Sequence, residues 1–359
     1  MNVTIQSGEL SRMMKIAGSC FDTILNAYVE LCHNDNFLTI RSIRSDMGVK
    51  ISCPAMGGDG EKVVVDGKVF SNIIAKCTGS VTISTDGKSC TVKTRGRTKI
   101  PLLPVNMASM EEVDGTSVKL NADRFLRAIR KTQYAVCQDQ TRMILTGTLY
   151  EFRNAQKFGK ARFVAIDGNM LALEEVPYES TNSMKVVVPQ SITNLVCASV
   201  GKNDEIHIIT DGKRIEFFTD EVTIIGTLLR GEYMDYEKLF SMNNPETEVR
   251  IGREELLDVI KSATVASGSS KLIRLSIAEN KLSVSSNSEE ADFEAEIDCD
   301  VIGKDIRIAF TVYNLMNTMS VLDSDNIILK LNTSVSPMII CEQDTENIHL
   351  VMPVHLHGG

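Results

Sequence analysis

Residues 2–17 read NVTIQSGELSRMMKIA, residues 117–132 read SVKLNADRFLRAIRKT, and residues 248–263 read EVRIGREELLDVIKSA. The three stretches align without a gap. In each, a short alternating strand runs into an amphipathic helix, the apolar period switching from 2 to 3.6. Val3, Val118 and Val249 share one column, Ile5, Leu120 and Ile251 the next, then Leu10, Phe125 and Leu256, then Met14, Ile129 and Ile260. A chain that opens three times predicts three tandem domains of similar size, 1–115, 116–244 and 245–359, parted at Asp114–Gly115 and at Asn243–Asn244–Pro245. Length agrees, since 359 residues exceed what a single core usually fills.

A second strand-then-helix unit lies inside each third: KVVVDGKVFSNIIAKC at 62–77, KVVVPQSITNLVCAS at 185–199 and DIRIAFTVYNLMNTM at 305–319. Between the helices, alternating strands are punctuated by Asp-Gly pairs at Asp59, Asp66, Asp86, Asp114, Asp167 and Asp211, the chemistry of tight hairpin turns. Hairpins and meanders, not parallel crossovers, follow. The fold class is α+β: antiparallel sheets with two helices per domain collected on one side.

Composition excludes several functions. The chain is 43% hydrophobic without any apolar run of membrane-spanning length, and its start lacks a charged-then-apolar leader, which places it in the cytoplasm with no membrane partner. Nine cysteines stand singly with no CxxC, reading as buried reduced thiols and neither disulfides nor zinc ligands. The histidines are dispersed, and the His-x-His at 355–357 suggests no metal site. No phosphate-cradling, dinucleotide, zinc-protease or nucleophile-elbow motif occurs, so neither a cofactor nor a catalytic residue is expected. Tryptophan is absent and aromatics make up 5%, a poor platform for stacking bases.

Charge is segregated. The helical segments hold Arg12, Lys15, Lys68, Lys76, Arg124, Arg127, Arg130, Lys131, Lys202, Arg253 and Lys261 against only Glu9, Asp123, Glu254, Glu255 and Asp258. The rest of a chain whose formal charge is −9 is therefore more acidic than the total suggests. In the second repeat Phe125, Ala128, Ile129 and Thr132 recur at i, i+3, i+4 and i+7 and must face the sheet, which turns Arg127 and Arg130 outward. The matching position is basic in every repeat: Lys15, Arg130, Lys261. A basic helical surface on an acidic body suits sequence-independent attraction to phosphates.

At this point the chain resembles, over its whole length, the bacterial DNA polymerase III β subunit, the sliding clamp. Gln140-Thr-Arg-Met-Ile-Leu-Thr-Gly147 is similar to the family's Asp-x-Arg-x-x-Leu-x-Gly, and Phe163-Val-Ala-Ile-Asp-Gly-Asn-Met-Leu-Ala172 to x-x-Ala-Thr-Asp-Gly-His-Arg-Leu-Ala. Gly231-Glu-Tyr-Met-Asp-Tyr-Glu-Lys-Leu-Phe240 resembles Gly-x-Phe-Pro-Asp-Tyr-x-x-Leu-x, and Leu350-Val-Met-Pro-Val-His-Leu356 resembles the closing Val-Val-Met-Pro-Met-Arg-Leu. The resemblance implies three clamp-fold domains per chain and a ring of two chains whose helices face duplex DNA. It implies a non-catalytic processivity factor of DNA replication, which tethers the replicative polymerase and serves the clamp loader and repair proteins through short clamp-binding peptides. The alternative, a peptide-binding hub never loaded on DNA, fits less well with the cations kept at Lys15, Arg127, Arg130 and Lys261.

The helical cations expected to line such a ring are Arg12, Lys15, Lys76, Arg124, Arg127, Arg130, Lys131, Lys202 and Lys261. Carried over by position, the partner-peptide pocket comprises Leu145, Ile166, Gly168, Asn169, Met170, Leu171, Met234, Lys238, Leu239, Asn314, Pro337, Leu350, Met352, Pro353, Val354, His355 and Leu356. The head-to-tail homodimer contact falls at Thr98 on one chain and at Thr264 and Val265 on the other. Asn169 and Met170 replace the family's usual His-Arg, Met234 a proline, Asn314 a common tyrosine, His355 a common arginine and Thr98 a frequent aromatic. The segment Phe21–Asn26 lacks the family's basic loop residue, and His357-Gly358-Gly359 runs past the expected end.

Overall fold

The computed structural model describes residues 1–21, 27–58, 60, 62–153, 159–178, 182–241, 244–343 and 345–355. The expected Asp59–Gly60 turn, most of the segment after Phe21, Asn243, Leu356 and the tail at His357 thus lie wholly or partly outside the described residues. Its helices are α1 (Ser7–Gly18), α2 (Gly67–Ile74), α3 (Ala122–Thr132), α4 (Gln190–Ser199), α5 (Glu237–Ser241), α6 (Arg253–Ala266) and α7 (Val312–Val321). All but the short α5 are the strand-then-helix units expected from the repeats. Each repeat opens as expected, with strands Asn2–Gln6, Thr116–Asn121 and Thr247–Gly252 running directly into α1, α3 and α6. Every apolar column of the threefold alignment is buried, none of its twelve residues being more than 5% exposed. No helix among the described residues is long and apolar enough to cross a membrane.

Two compact units emerge. The first comprises Met1–Arg124, Tyr178–Asn182 and Ser191–Leu228. It contains a five-stranded antiparallel sheet ordered 56–58, 2–6, 80–85, 89–93, 97–101 and an eight-stranded sheet ordered 116–121, 205–210, 214–218, 222–227, 47–54, 37–43, 28–34, 63–66. The longer sheet joins two repeats, because Val222–Gly226 pairs antiparallel with Met47–Ile51. Helices α1 and α2 pack against each other in this unit.

The second unit comprises Phe125–Pro177, Ser183–Gln190 and Leu229–Gly359. Its nine-stranded sheet runs 184–189, 147–153, 159–166, 170–178, 348–351, 338–342, 326–331, 247–252, 300–303, and a four-stranded sheet runs 292–298, 281–287, 272–278, 306–311. Here Met170–Leu173 pairs with Ile348–Val351, again joining two repeats in one sheet. The main core lies between these sheets and the packed pair α6 and α7, around Leu256, Ile260, Leu275, Phe310, Leu315 and Met319. The middle repeat is thus divided between the units, since hydrogen-bonded sheets extend from it to both neighbouring repeats.

Turn chemistry acts in part as anticipated. Asp86–Gly87, Asp167–Gly168 and Asp211–Gly212 close hairpins, with their glycines at φ +80°, +101° and +82°. Asp66–Gly67 does not. Its aspartate caps α2, accepting a hydrogen bond from the Val69 amide at 2.8 Å, and a Cβ on Gly67 would stand 2.6 Å from the Phe21 ring. Asp114–Gly115 also departs from the hairpin expectation, serving as the connection into strand Thr116–Asn121.

Candidate functional site

The helical cations fall into two kinds. In α3 the buried stripe is the expected one, Phe125, Ala128, Ile129 and Thr132 all being at most 2% exposed, with the Phe125 ring edge-on to Tyr150 and Phe163. Arg124, Arg127 and Arg130 accordingly point outward and are exposed, as are Lys15 on α1, Lys76 just past α2, Lys202 in the turn after α4 and Lys261 on α6. Arg12 on α1 is half-buried and held by Glu221 at 2.7 Å and Glu9 at 3.2 Å. Lys261 pairs within its own helix with Asp258 at 3.2 Å.

Lys131 corrects the expected lining. It is 5% exposed, and its ammonium is sunk between the Glu342 carboxylate and Asp323, the latter at 3.2 Å. The helix turns 100° per residue, so the position after outward Arg130 swings toward the strand Met338–Glu342. Arg127 and Arg130 then close on the same Asp323 at 3.2 and 2.7 Å. One carboxylate therefore gathers three cations. Partial burial works against ionisation of Asp323, but Arg130, Lys131 and Arg127 overcome it and hold its pKa down to about 2. Burial likewise pushes the Glu342 carboxyl up, and the Lys131 ammonium and the amides of Asp323 and Ser324 more than offset this, keeping it below the ordinary range. Next to this cluster Tyr134 Oη lies 3.0 Å from His349 Nδ1, and His349 Nε2 lies 3.2 Å from Glu174, whose pKa desolvation raises.

The residues assigned to the partner pocket divide between interior and surface. Leu145, Ile166, Leu171 and Leu350 belong to one buried cluster with Tyr233 and Tyr236, against which Leu239 packs half-buried. Met170 lies apart from them, since neighbours along a strand face opposite sides: it packs with Ala135, Val136, Ala165 and Ala172. Gly168 closes its hairpin against Arg142, and the Asn169 carbonyl accepts from the Met352 amide at 2.8 Å. Lys238 is exposed and pairs with Asp235 at 2.9 Å. Asn314 sits in the first turn of α7 with its carbonyl accepting from Thr318 Oγ1, and Pro337 leads into strand Met338–Glu342. Pro353 and Val354 are half-buried, the Val354 amide donating to the Ala309 carbonyl at 2.8 Å, and His355 is exposed.

What remains open above that cluster is methionine. Met143, Met234 and Met352 are 61%, 45% and 37% exposed. Their segments are stitched together: Arg142 Nη1 approaches the Asp167 carbonyl, Ile144 packs under Gly231, and Met352 bonds Asn169. Flexible, polarisable side chains over a firm apolar floor form an adaptable surface for hydrophobic anchors. Sequence reading missed Met143, Ile144 and Arg142. An exposed methionine inside a short 3-10 turn carries no period, so only its place in a quoted motif could have marked it. Asp323 and Glu342 were missed as well, the one lying just past a helix end and the other being the lone acid in the apolar run MIICE.

The residues expected at a dimer contact are surface groups. Thr98 is exposed on strand Arg97–Pro101, and at the end of α6 Thr264 is half-buried while Val265 is 82% exposed.

The model for the DNA polymerase III beta subunit, central domain, matches residues 119–235, and that for its C-terminal domain matches 242–355. The chain belongs to the DNA polymerase III β-subunit family, the sliding clamps. A relative named beta sliding clamp from Staphylococcus epidermidis is 23% identical over 350 residues, spanning 92% of this chain and 91% of its own. One of the same name from Pseudomonas putida is 28% identical over 286 residues, 77% of this chain and 76% of its own. Among solved structures, the sliding clamp from Pseudomonas aeruginosa bound to griselimycin superposes with a TM-score of 0.91 at 22% identity, covering 99% of this chain and 100% of that one. The sliding clamp from Bacillus subtilis superposes with a TM-score of 0.90 at 20% identity and the same coverage. Membership makes the chain a DNA sliding clamp of replication, and the α+β architecture is that of the family.

Proposed function

We propose that two copies of this clamp, each of three tandem domains, close head to tail into a ring around duplex DNA, non-catalytic and cytoplasmic, and tether the polymerase by its peptides. The observation that carries the ring is a pair of unlike sheet edges. Strand Arg97–Pro101 ends the five-stranded sheet and strand Asp292–Asp298 ends the four-stranded one, each bonded on one side only among the described residues. The first edge exposes Arg97 and Lys99, the second Asp292, Glu294, Glu296 and Asp298. Like edges would repel and unlike edges attract, so pairing is heterologous, and a two-chain ring leaves neither edge open. Beside the basic edge lies a hollow of about 450 Å³ lined in part by Val69, Ile73, Cys77, Val92 and Thr98, which suits the bare Val265 side chain of the other copy.

Arg124, Arg127, Arg130, Lys15, Lys76, Lys202 and Lys261 would then attract the DNA backbone without reading bases, while topology supplies the hold. Partner peptides would place apolar anchors among Met143, Met234, Met352 and Leu239, the surface above the buried cluster. Sedimentation of the protein followed by retention on nicked circular DNA tests the ring. The expected result is a dimer that stays on circles and runs off when they are linearised. A monomer at high concentration, a trimer, or equal retention on both forms overturns it.

A further inference from the structure

A second groove, of about 660 Å³, lies on the four-stranded sheet, and its wall is the chain segment that leaves Met352. Val354 and His355 line it, as does Val335, which is 52% exposed. The floor follows from strand register. Arg274 stands opposite Ala309 on one side and Ser285 on the other, and Ser276 stands opposite Arg307 and Ser283. Arg274 and Arg307 are therefore diagonal neighbours on the same face, next to a trough of short serine side chains, with Glu294 beyond Ser285 on the far rim.

We propose that this groove takes the acidic flank of a partner peptide whose apolar anchors sit around Met352. The idea rests on the partner-pocket reading and extends it. Continuity is the first argument. The Val354 amide donates to Ala309 at 2.8 Å, so the backbone that leaves the Met352 surface is itself laid along the groove. Charge is the second. Among the described residues Arg307 is exposed with no carboxylate within ion-pairing distance, and Arg274 donates to the Asn287 side-chain oxygen at 2.6 Å and pairs with no carboxylate. Among the described residues most of the other arginines of the chain are tied to an acid, Arg127, Arg130, Arg153, Arg162 and Arg250 among them. Two guanidinium groups left beside serine hydroxyls make a donor-rich bed for carboxylates. Glu294 on the opposite rim repels an acidic strand from that side and so confines it to the arginines. On a body with formal charge −9 this attraction is local.

Calorimetry on the full-length protein tests it with three peptides: a plain one bearing a Gln and apolar anchors, and the same peptide with three glutamates added before or after the anchors. One flanked peptide should bind about five- to tenfold tighter than the plain one at low salt, an advantage that shrinks as salt rises. Arg274→Gln combined with Arg307→Gln should erase that advantage while leaving the plain peptide's affinity unchanged, which also shows the variant is folded. Neither flank helping, or a benefit that survives in the double variant, overturns the proposal. Failure of the plain peptide to bind at all overturns the pocket reading and this proposal with it, a result distinct from a plain peptide that binds and a flank that adds nothing.

Discussion

Helices α3 and α6 hold the same place in successive repeats yet handle charge in opposite ways. Both bury a 3.6-period stripe, Phe125, Ala128, Ile129 and Thr132 in one and Leu256, Leu257, Ile260 and Ala263 in the other. Helix α6 keeps its electrostatics to itself: Glu254 and Glu255 sit at its positive N-terminal end, and Lys261 finds Asp258 one turn away. Helix α3 places Arg130 and Lys131 in its last turn and draws its counter-charges, Asp323 and Glu342, from about two hundred residues downstream. A local pair decorates a helix. A distant pair fixes where the helix lies, because both partners must be brought together by the fold before either is satisfied.

The largest effect should come from breaking the buried tie. Glu342→Gln leaves the Lys131 ammonium with Asp323 as its remaining acid in a site where Lys131 and residue 342 are nearly inaccessible, and should cost about 3 kcal/mol of unfolding free energy. Asp258→Asn, which breaks the exposed pair of α6, should stay within about 0.5 kcal/mol. Urea titrations of the two variants make the comparison. Equal losses would mean that the distant pair anchors α3 no more firmly than a surface pair does.

A smaller but functional difference should appear on DNA. Replacing Arg127 and Arg130 by glutamate should weaken association with a short duplex about tenfold or more and lower the slope of log affinity against log salt by about two phosphate equivalents. Lys261→Glu should do no more than about a third as much in slope. If the two variants fall together, or if wild type prefers one DNA sequence strongly, the outward face of α3 is not the phosphate-attracting surface.

How much of this was legible in the sequence follows from which interactions are periodic. The strand-then-helix openings, the buried columns and the outward Arg127 and Arg130 were readable, because amphipathic period depends on the chain's own neighbours. Sheet pairing across repeats, such as Met47–Ile51 against Val222–Gly226, has no local signature, so the sharing of the middle repeat between two compact units could not be read. Lys131 was misplaced for the same reason: it follows the outward Arg130, and the acid that makes its burial possible lies on a strand more than two hundred residues away. In the segments assigned to the pocket, Leu145, Ile166, Leu171 and Leu350 share one buried cluster, but the motif resemblance grouped Met170 with Leu171 although a strand sends them to opposite sides.

The smallest expected effect bears on what Asp323 does for α3. Its carboxylate holds both exposed arginines in the unbound protein, so a DNA phosphate must compete with it for the same donors. Asp323→Asn should therefore tighten binding to a short duplex a few-fold at low salt, and the gain should vanish when Arg127 and Arg130 are also replaced. The same contact predicts a pH signature. Because the folded-state pKa is depressed to about 2, the contribution of Asp323 to stability is present above the ordinary aspartate value of about 3.9 and is lost as pH falls from there toward 2. The wild type should lose more stability than Asp323→Asn over that window and match its pH dependence above it. An asparagine variant that binds DNA no better, and that loses stability in acid as steeply as the wild type, would mean the arginines are held by the helix alone and that Asp323 is a bystander on its surface.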